Sequence, residues 1–178
     1  MRPTESPSGR PEWATTLDLH WDHNPWREGP AFRRLQGLLT LSPHTLTSGG
    51  FECVPGFAHR MEAWAAANPR GCAKEESDGG LVVVPPDDHM HAEARRVTAA
   101  AGSLIVWDSR TPHRSYSNAS AGFRVVQYIT YYPAEGDAED QAALGDRIRE
   151  QLRLSSFTFG FPELLTPLGR KLVGLQPW

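Results

Sequence analysis

Residues 15–22 have the sequence TTLDLHWD, in which β-branched and apolar residues alternate from Thr15 to Asp22. The alternation predicts a β-strand, where successive side chains point to opposite faces of a sheet. His20 and Asp22 therefore lie on one face, and Trp21 lies on the other. A second imidazole from a distant strand, for which His113 is the candidate, completes two histidines and one carboxylate around a metal. This ligand set leaves coordination positions open and is typical of non-haem Fe(II) sites.

Arg124 and Ser115 are the candidates for holding a second ligand of such a metal. Arg124 follows His113 by eleven residues and lies in Phe123–Tyr132, the strongest strand pattern of the chain. A guanidinium in an apolar strand needs a partner of opposite charge, and the distal carboxylate of an iron-bound 2-oxo acid would supply one. Ser115, two residues after His113, could offer a hydroxyl to the same carboxylate. The alternatives are a solvated surface Arg124 and a Ser115 that binds only backbone.

The other five histidines compete for the same role. A single His-Asp pair or a single turn histidine, such as His113 after Thr111-Pro112, is weak evidence by itself. It is the order of strand pair, long gap, histidine and strand arginine that favours a metal site. The pair His89 and His91 also alternates, but it follows a polar Pro-Pro-Asp-Asp loop, and we expect it to be exposed. The pattern assigns no separate catalytic side chain. The remaining competitors are His23, His44 and His59.

Composition and charge exclude several classes of protein. Hydrophobic residues make up 39% of the chain and charged residues 22%, which indicates a soluble globular domain. The net charge of −3 gives no electrostatic basis for binding nucleic acid or an anionic membrane. No apolar run approaches the length of about 18 residues that a membrane span needs, and no signal-peptide core is evident, so we expect a cytoplasmic protein. Cys53 and Cys72 match no zinc motif and are expected to be free thiols.

The chain contains 15 Pro and 16 Gly, and this turn-rich composition favours a mainly β fold with many short strands. We expect a barrel or sandwich of the jelly-roll type. Residues 48–50 are predicted to form a turn, and Arg70–Gly80 a surface loop. The seven strand candidates are Thr15–Asp22, Leu35–Leu41, Phe51–Val54, Leu81–Val84, Val97–Ala100, Ser103–Trp107 and Phe123–Tyr132.

Helices are predicted in three places. Phe57, Met61 and Trp64 recur with helical spacing before Asn68-Pro69 ends the pattern. A second helix is predicted from about 138 to 154, and a third from Thr166-Pro167, with a capping residue and a first-turn proline, to Gly174. We expect residues 1–14 to be a flexible tail. Residues 15–178 are expected to form one domain, with a jelly-roll core over about 15–133 and a helical region over about 138–178.

Taken together, these segments resemble the phytanoyl-CoA dioxygenase family of Fe(II)- and 2-oxoglutarate-dependent oxygenases. The resemblance covers roughly His20–Pro133. It implies a double-stranded β-helix (jelly-roll, cupin-like) core with flanking helices, Fe(II) bound by His20, Asp22 and His113, and 2-oxoglutarate bound by Arg124 and Ser115. The segments that carry it are His20-Trp21-Asp22, Ser48–Phe51 continuing through Val54–His59, and Gly102–Arg110 running into Pro112-His113, with Arg124 at the expected interval.

The resemblance implies a dioxygenase that hydroxylates a small organic or lipid-like molecule with 2-oxoglutarate as co-substrate. One alternative is a truncated, non-catalytic jelly-roll binding protein of the same family. Another is a cupin-like metalloenzyme that uses no 2-oxo acid and has no need of Arg124. Family members usually carry a long segment before the His-x-Asp strand, whereas nineteen residues precede His20. We therefore expect an uncovered edge or face on the sheet that carries Thr15–Asp22, and self-association through it.

Overall fold

A computed structural model describes residues 18–32, 34–69, 71, 73–75, 81–131, 146, 150, 165–172 and 176. The chain divides into two compact units, Met1–Tyr132 and Pro133–Trp178. The predicted tail over residues 1–14 lies outside the described residues. The prediction that residues 15–178 form a single domain stays a prediction.

The first unit is built mainly from β-strands, which confirms the predicted fold class. The described residues form nine strands: β1 His20–Trp21, β2 Leu35–Thr40, β3 Ser48–Cys53, β4 Lys74–Glu75, β5 Val82–Val83, β6 Arg95–Val97, β7 Leu104–Asp108, β8 His113–Asn118 and β9 Val126–Tyr131. Short helices join them: a 3₁₀ turn over Phe57–His59, α1 Met61–Ala67 and α2 Met90–Glu93. Within the described ranges, no helix has the length and apolarity needed to cross a membrane.

The strands form two antiparallel sheets, the arrangement of a jelly roll. The larger sheet has six strands in the order β4-β5-β1-β8-β3-β6, and the smaller has three in the order β7-β2-β9. Because β1 lies between β5 and β8, His20 is the direct cross-strand partner of both Val83 and His113. This register brings two residues that are far apart in sequence into adjacent positions.

The two faces of β1 are used differently, as the alternation predicts. Trp21 is fully buried in a hydrophobic cluster on the outer face of the larger sheet, where its ring contacts those of Phe57 and Trp64. Phe57, Met61 and Trp64 are all buried, which confirms the predicted helical stripe, although its first turn is a 3₁₀ turn. His20 on the opposite face is thereby directed between the two sheets.

A second hydrophobic cluster lies between the sheets. Leu38 of β2, Phe51 of β3 and Trp107 of β7 are its buried members. The rings of Phe51 and Trp107 are 4.3 Å apart, and both pack against the imidazole of His113. This cluster forms an apolar surface beside His20, the residue of β1 that is directed between the sheets.

Several predicted elements differ from the structure. The Ser48–Gly50 segment is not a turn but the first half of β3, although Gly49 has a positive φ of 72° within the strand. The strand β8 was missed, since its sequence HRSYSN is polar, and His113 begins this strand instead of lying in a turn. Likewise, Lys74–Glu75 forms β4 within the predicted loop Arg70–Gly80.

Smaller corrections concern the ends of elements. The described part of the first predicted strand is shortened to His20–Trp21, and Val97–Ala100 becomes β6 Arg95–Val97 followed by a bridge between Ala99 and His44. The His89–His91 segment enters the helix α2 instead of a loop.

In the second unit, the helix α3 spans Pro167–Leu172 and confirms the last predicted helix. The hydroxyl of Thr166 accepts a hydrogen bond from the amide of Gly169 at 3.0 Å, which is the expected N-terminal cap. The helix predicted over 138–154 lies outside the described residues apart from Asp146 and Glu150, which are both helical.

Candidate metal centre

The structure brings His20, Asp22 and His113 together between the two sheets. One donor atom from each lies within 4.8 Å of the other two. His20 Nε2 is 3.8 Å from Asp22 Oδ1, and His113 Nε2 is 3.8 Å from Asp22 Oδ2. These distances are too long for direct hydrogen bonds, so the three side chains surround a common point without bonding to one another.

Each imidazole is oriented by a hydrogen bond from its other nitrogen. The Nδ1 atom of His20 is 2.7 Å from the carbonyl oxygen of Asp18, and that of His113 is 3.0 Å from the carbonyl oxygen of Thr111. Because a carbonyl oxygen only accepts, both Nδ1 atoms carry the proton, and both Nε2 lone pairs face the common point. Metal-binding histidines are held in this way.

The protonation state of His113 suits a metal ligand. Burial and, to a smaller extent, the charge of His20 lower the pKa of His113 from 6.5 to about 4. The hydrogen bond that His113 Nδ1 donates to the carbonyl of Thr111, and the carboxylate of Asp22, oppose this shift without cancelling it. At neutral pH the imidazole is therefore uncharged, and its lone pair is available to a cation.

The carboxylate of Asp22 is held by the neighbouring strand. Gln36 Nε2 donates a hydrogen bond to Asp22 Oδ2 at 2.6 Å. Arg34 donates to the backbone carbonyl of Asp22 and fixes the main chain at the end of β1. The side chain of Asp22 is 36% exposed, whereas His20 and His113 are buried, so the carboxylate forms the solvent-facing side of the cluster.

A cavity of about 300 Å³ opens beside the three donors. Trp107 and Phe51 give it an aromatic side, and Ser115, Tyr128 and Thr130 give it hydroxyl groups. Trp107 lines the cavity, while Trp21 and Trp26 belong to the outer cluster. The residues that line it are His20, Asp22, Gln36, Gly37, Phe51, Trp107, His113, Arg114, Ser115, Tyr128, Ile129 and Thr130.

The two residues predicted to bind a 2-oxo acid have different environments. Ser115 lines the cavity, and its hydroxyl is 3.4 Å from that of Tyr128. Arg124 is not among the described residues that line the cavity; its Nε donates to His44 Nε2 at 3.3 Å. Arg124 Nη2 is buried and has no hydrogen-bond partner among the described residues. A buried guanidinium nitrogen without a partner is costly, and a bound anion would relieve that cost.

The competing histidines do not approach this cluster. His89 is exposed, with its Nδ1 atom 3.2 Å from Asp88 Oδ1 and its Nε2 atom 3.2 Å from Glu93 Oε1. His91 Nε2 bonds the carbonyl of Pro85, and His23 Nε2 bonds that of Gly29. Among the described residues, His20, Asp22 and His113 are the one group of three His, Cys, Asp or Glu side chains that could hold a metal ion.

The sequence profile of the Phytanoyl-CoA dioxygenase (PhyH) family matches residues 7–126, which is more than half of the chain. The chain belongs to the phytanoyl-CoA dioxygenase family. The three clustered residues all lie inside the matched region, and Arg124 lies two residues before its end. The family is one of Fe(II)- and 2-oxoglutarate-dependent oxygenases, and the two-sheet fold described above is the oxygenase fold.

Two curated proteins resemble this family member. A putative phytanoyl-CoA dioxygenase of Dictyostelium discoideum is 24% identical over 155 residues, covering 69% of this chain and 42% of its own. Ava biosynthesis cluster protein O of Aspergillus versicolor is 30% identical over 122 residues, covering 64% of this chain and 39% of its own. The chain thus spans about two fifths of the length of the curated relatives it matches.

The chain is also similar to solved structures. GlcNAc Inducible Gene 2 of Candida albicans superposes with a TM-score of 0.54 at 18% identity, covering 80% of this chain and 36% of its own. EvdO2 from Micromonospora carbonacea var. aurantiaca, complexed with 2-oxoglutarate, gives a TM-score of 0.45 at 20% identity, covering 78% and 53%.

Two side chains in the cavity of this phytanoyl-CoA dioxygenase family member were not predicted: Gln36 and Tyr128. Gln36 left a signal in the sequence, because a glutamine interrupts the mainly apolar strand LQGLLT. Tyr128 gave none, since an aromatic residue in a strand is usual.

Proposed function

We propose that this chain is an Fe(II)- and 2-oxoglutarate-dependent dioxygenase that hydroxylates a small organic or lipid-like substrate. The observation that carries the proposal is the convergence of His20 Nε2, Asp22 and His113 Nε2 in a cavity, with both Nδ1 atoms held by carbonyls. This donor set is the two-histidine, one-carboxylate triad of non-haem Fe(II) oxygenases, which leaves positions open for further ligands.

Ser115 in the cavity lining and Arg124 outside it are the two residues that support binding of 2-oxoglutarate. Its distal carboxylate needs a positive partner, and Arg124 has a buried Nη2 atom without a partner among the described residues. Ser115 lines the cavity on the strand that begins with His113, and its hydroxyl can donate to an anion. Together they support binding of a dicarboxylate that reaches from the metal towards the start of β9.

In the proposed reaction, Fe(II) with 2-oxoglutarate and O₂ supplies the oxidation that converts a substrate C–H bond to C–OH, while 2-oxoglutarate is split to succinate and CO₂. The chain's own residues bind and orient the reactants. His20, Asp22 and His113 would hold the metal, and Arg124 with Ser115 would fix the direction of the 2-oxo acid. Phe51 and Trp107 keep one side of the cavity apolar, which favours an apolar substrate segment there and excludes water.

The proposal is tested by titrating the protein with Fe(II) and 2-oxoglutarate without oxygen and recording the weak visible charge-transfer band of the chelated 2-oxo acid. We expect the band with the wild type. It should be lost with His113→Ala, because the two remaining protein ligands, His20 and Asp22, do not suffice to hold the metal. Arg124→Ala should keep Fe(II) binding but weaken 2-oxoglutarate binding tenfold or more, because a charged bidentate contact contributes roughly 1.5–3 kcal/mol. Arg95→Ala, at an exposed position on β6, is the matched control.

Two results would contradict the proposal. Equal 2-oxoglutarate affinity in Arg124→Ala and wild type would assign Arg124 a structural role. Absence of the band in the wild type would contradict the binding of 2-oxoglutarate to a metal at this site.

A second candidate function is binding without turnover. The observation that favours it is the openness of the cavity, because Tyr128 is 55% exposed and Asp22 is 36% exposed. Oxygenase chemistry benefits from exclusion of water, which this arrangement achieves on one side only. The two functions are separated by succinate, measured after oxygen is admitted to the loaded protein: a dioxygenase releases it, and a binding protein does not.

A further inference from the structure

Gln36 is a buried polar residue on the face of β2 that is directed between the sheets. It is 9% exposed and shares its inward face with Leu38, which is fully buried. A buried amide is costly unless both its oxygen and its nitrogen are hydrogen-bonded. Both ends of Gln36 are bonded, and each bond goes to a residue of the candidate metal centre or its aromatic wall.

The direction of this small network is fixed by chemistry. Trp107 Nε1 lies 3.1 Å from Gln36 Oε1, and Gln36 Nε2 lies 2.6 Å from Asp22 Oδ2. An indole nitrogen only donates, so the amide oxygen must face Trp107. The amide nitrogen must then face Asp22. It donates to the carboxylate, because an ionised carboxylate has no proton to donate and can only accept.

We infer that Gln36 is a positioning residue that fixes the Asp22 carboxylate as a metal ligand through one oxygen. The inference rests on the metal centre proposed above. Each oxygen of the Asp22 carboxylate lies 3.8 Å from the Nε2 atom of one imidazole, Oδ1 from His20 and Oδ2 from His113. Gln36 donates a hydrogen bond to Oδ2, whereas no described residue donates one to Oδ1. Oδ1 is therefore the oxygen left free to bind a cation.

The same network connects the metal ligand to the wall of the cavity. The ring of Trp107 packs against His113 at 5.1 Å and against Phe51 at 4.3 Å. A shift of Trp107 is thus transmitted through Gln36 to Asp22, and through ring contact to His113. Gln36 therefore couples the apolar side of the cavity, where a substrate would lie, to the orientation of Asp22, while Trp107 contacts His113 directly.

The test uses Co(II), a spectroscopic substitute for Fe(II) that is stable in air, and measures its affinity and visible absorption spectrum with the apo protein. Gln36→Met has a similar size but no donor. We expect it to bind Co(II) 10- to 100-fold more weakly, the usual effect of removing a partner of a metal ligand, and to shift the Co(II) absorption bands. Gln127→Met is the matched control, because Gln127 is an exposed glutamine of β9 whose side chain donates only to the backbone of Tyr128.

Gln36→Glu is the second variant. It keeps the inference testable if the Gln36→Met variant does not fold. It is isosteric and retains the acceptor for Trp107, but it places a carboxylate against Asp22 Oδ2, so Co(II) affinity should again fall. A folded Gln36 variant that binds Co(II) with the wild-type affinity and spectrum, even with a lower melting temperature, would overturn the inference. If the wild-type protein binds no Co(II), both the proposed function and this inference are contradicted.

Discussion

Buried His44 and half-buried Arg124 show how a pair of basic residues constrains the protonation state of one member. His44 is 2% exposed, and its Nε2 accepts a hydrogen bond from Arg124 Nε at 3.3 Å. An accepting Nε2 places the remaining proton on Nδ1, which has no partner among the described residues. Burial, followed by the positive charge of Arg124, lowers the pKa of His44 from 6.5 to about 4. The folded protein therefore requires this imidazole to be neutral.

This requirement predicts a loss of stability in mild acid. The unfolded chain protonates His44 near pH 6.5, and the folded chain does so only near pH 4, so between these values the unfolded state binds more protons. The stabilisation is complete above pH 6.5 and is lost as the pH falls towards 4. From pH 7 to pH 5, His44 alone should lower the free energy of unfolding by about 2 kcal/mol.

The variant His44→Gln isolates this contribution, because its side-chain oxygen can still accept from Arg124 but does not titrate. Urea unfolding of the metal-free proteins at both pH values should show a smaller acid-dependent loss in the variant, by about 2 kcal/mol. His113, whose pKa is also lowered, is present in both proteins and cancels from the difference. Parallel pH dependences of the two proteins would show that His44 does not carry the effect.

At the scale of elements, the alternation of the chain predicts which face of a strand is buried better than where a strand begins. His20 and Trp21 occupy opposite faces as expected, because the period of two is a property of the extended backbone itself. The strand β8 was not predicted because its sequence HRSYSN carries polar side chains on both faces, and the His113 imidazole and the Ser115 hydroxyl line the cavity. A functional strand of this kind lacks the apolar signal on which sequence patterns depend.

The misplaced turn at Ser48–Gly50 has a different cause. The glycines of β3 are there because β8 lies very close, not because the chain reverses. A Cβ atom on Gly50 would lie 2.6 Å from the hydroxyl oxygen and 2.9 Å from the Cζ atom of Tyr116. That hydroxyl donates to the carbonyl of Thr45 at 2.6 Å, so the ring is not free to move aside. Long-range packing of this kind cannot be read from local sequence.

Gly50→Ala should therefore destabilise the first unit. Accommodating the methyl group requires displacement of the Tyr116 ring and loss of its bond to Thr45, and overpacking of this type costs about 1–3 kcal/mol. Gly122→Ala is the control, because a Cβ atom there meets nothing within 4 Å. Thermal or urea unfolding should show a clear loss for the first variant and little change for the second. Equal stability of Gly50→Ala and wild type would mean that the Tyr116 ring moves freely.

At the scale of the whole molecule, apolar side chains are exposed on the smaller sheet. The face around Trp21 on the larger sheet is packed by Phe57 and Trp64, and the expected uncovered edge or face of the sheet that carries Thr15–Asp22 stays a prediction. The exposed apolar residues lie on the outer face of the smaller sheet. They share this face by cross-strand register, and they are Leu35, Leu104, Val106 and Tyr131.

We expect the protein to self-associate through this smaller sheet. Leu104 is 51% exposed and Val106 is 46% exposed, and both belong to β7, which is an edge strand of its sheet. An apolar edge strand offers unpaired backbone groups and apolar side chains to a second copy of the chain.

Light scattering coupled to size exclusion, over a concentration series, should give a mass above that of the monomer. The double variant Leu104→Lys/Val106→Lys should shift it to the monomer, because lysines on an edge oppose pairing. Leu168→Lys, at an exposed apolar position on α3, should leave the mass unchanged. A wild-type protein that stays monomeric at every concentration and melts cooperatively at high temperature would contradict the prediction, and would indicate that the exposed face is tolerated in water.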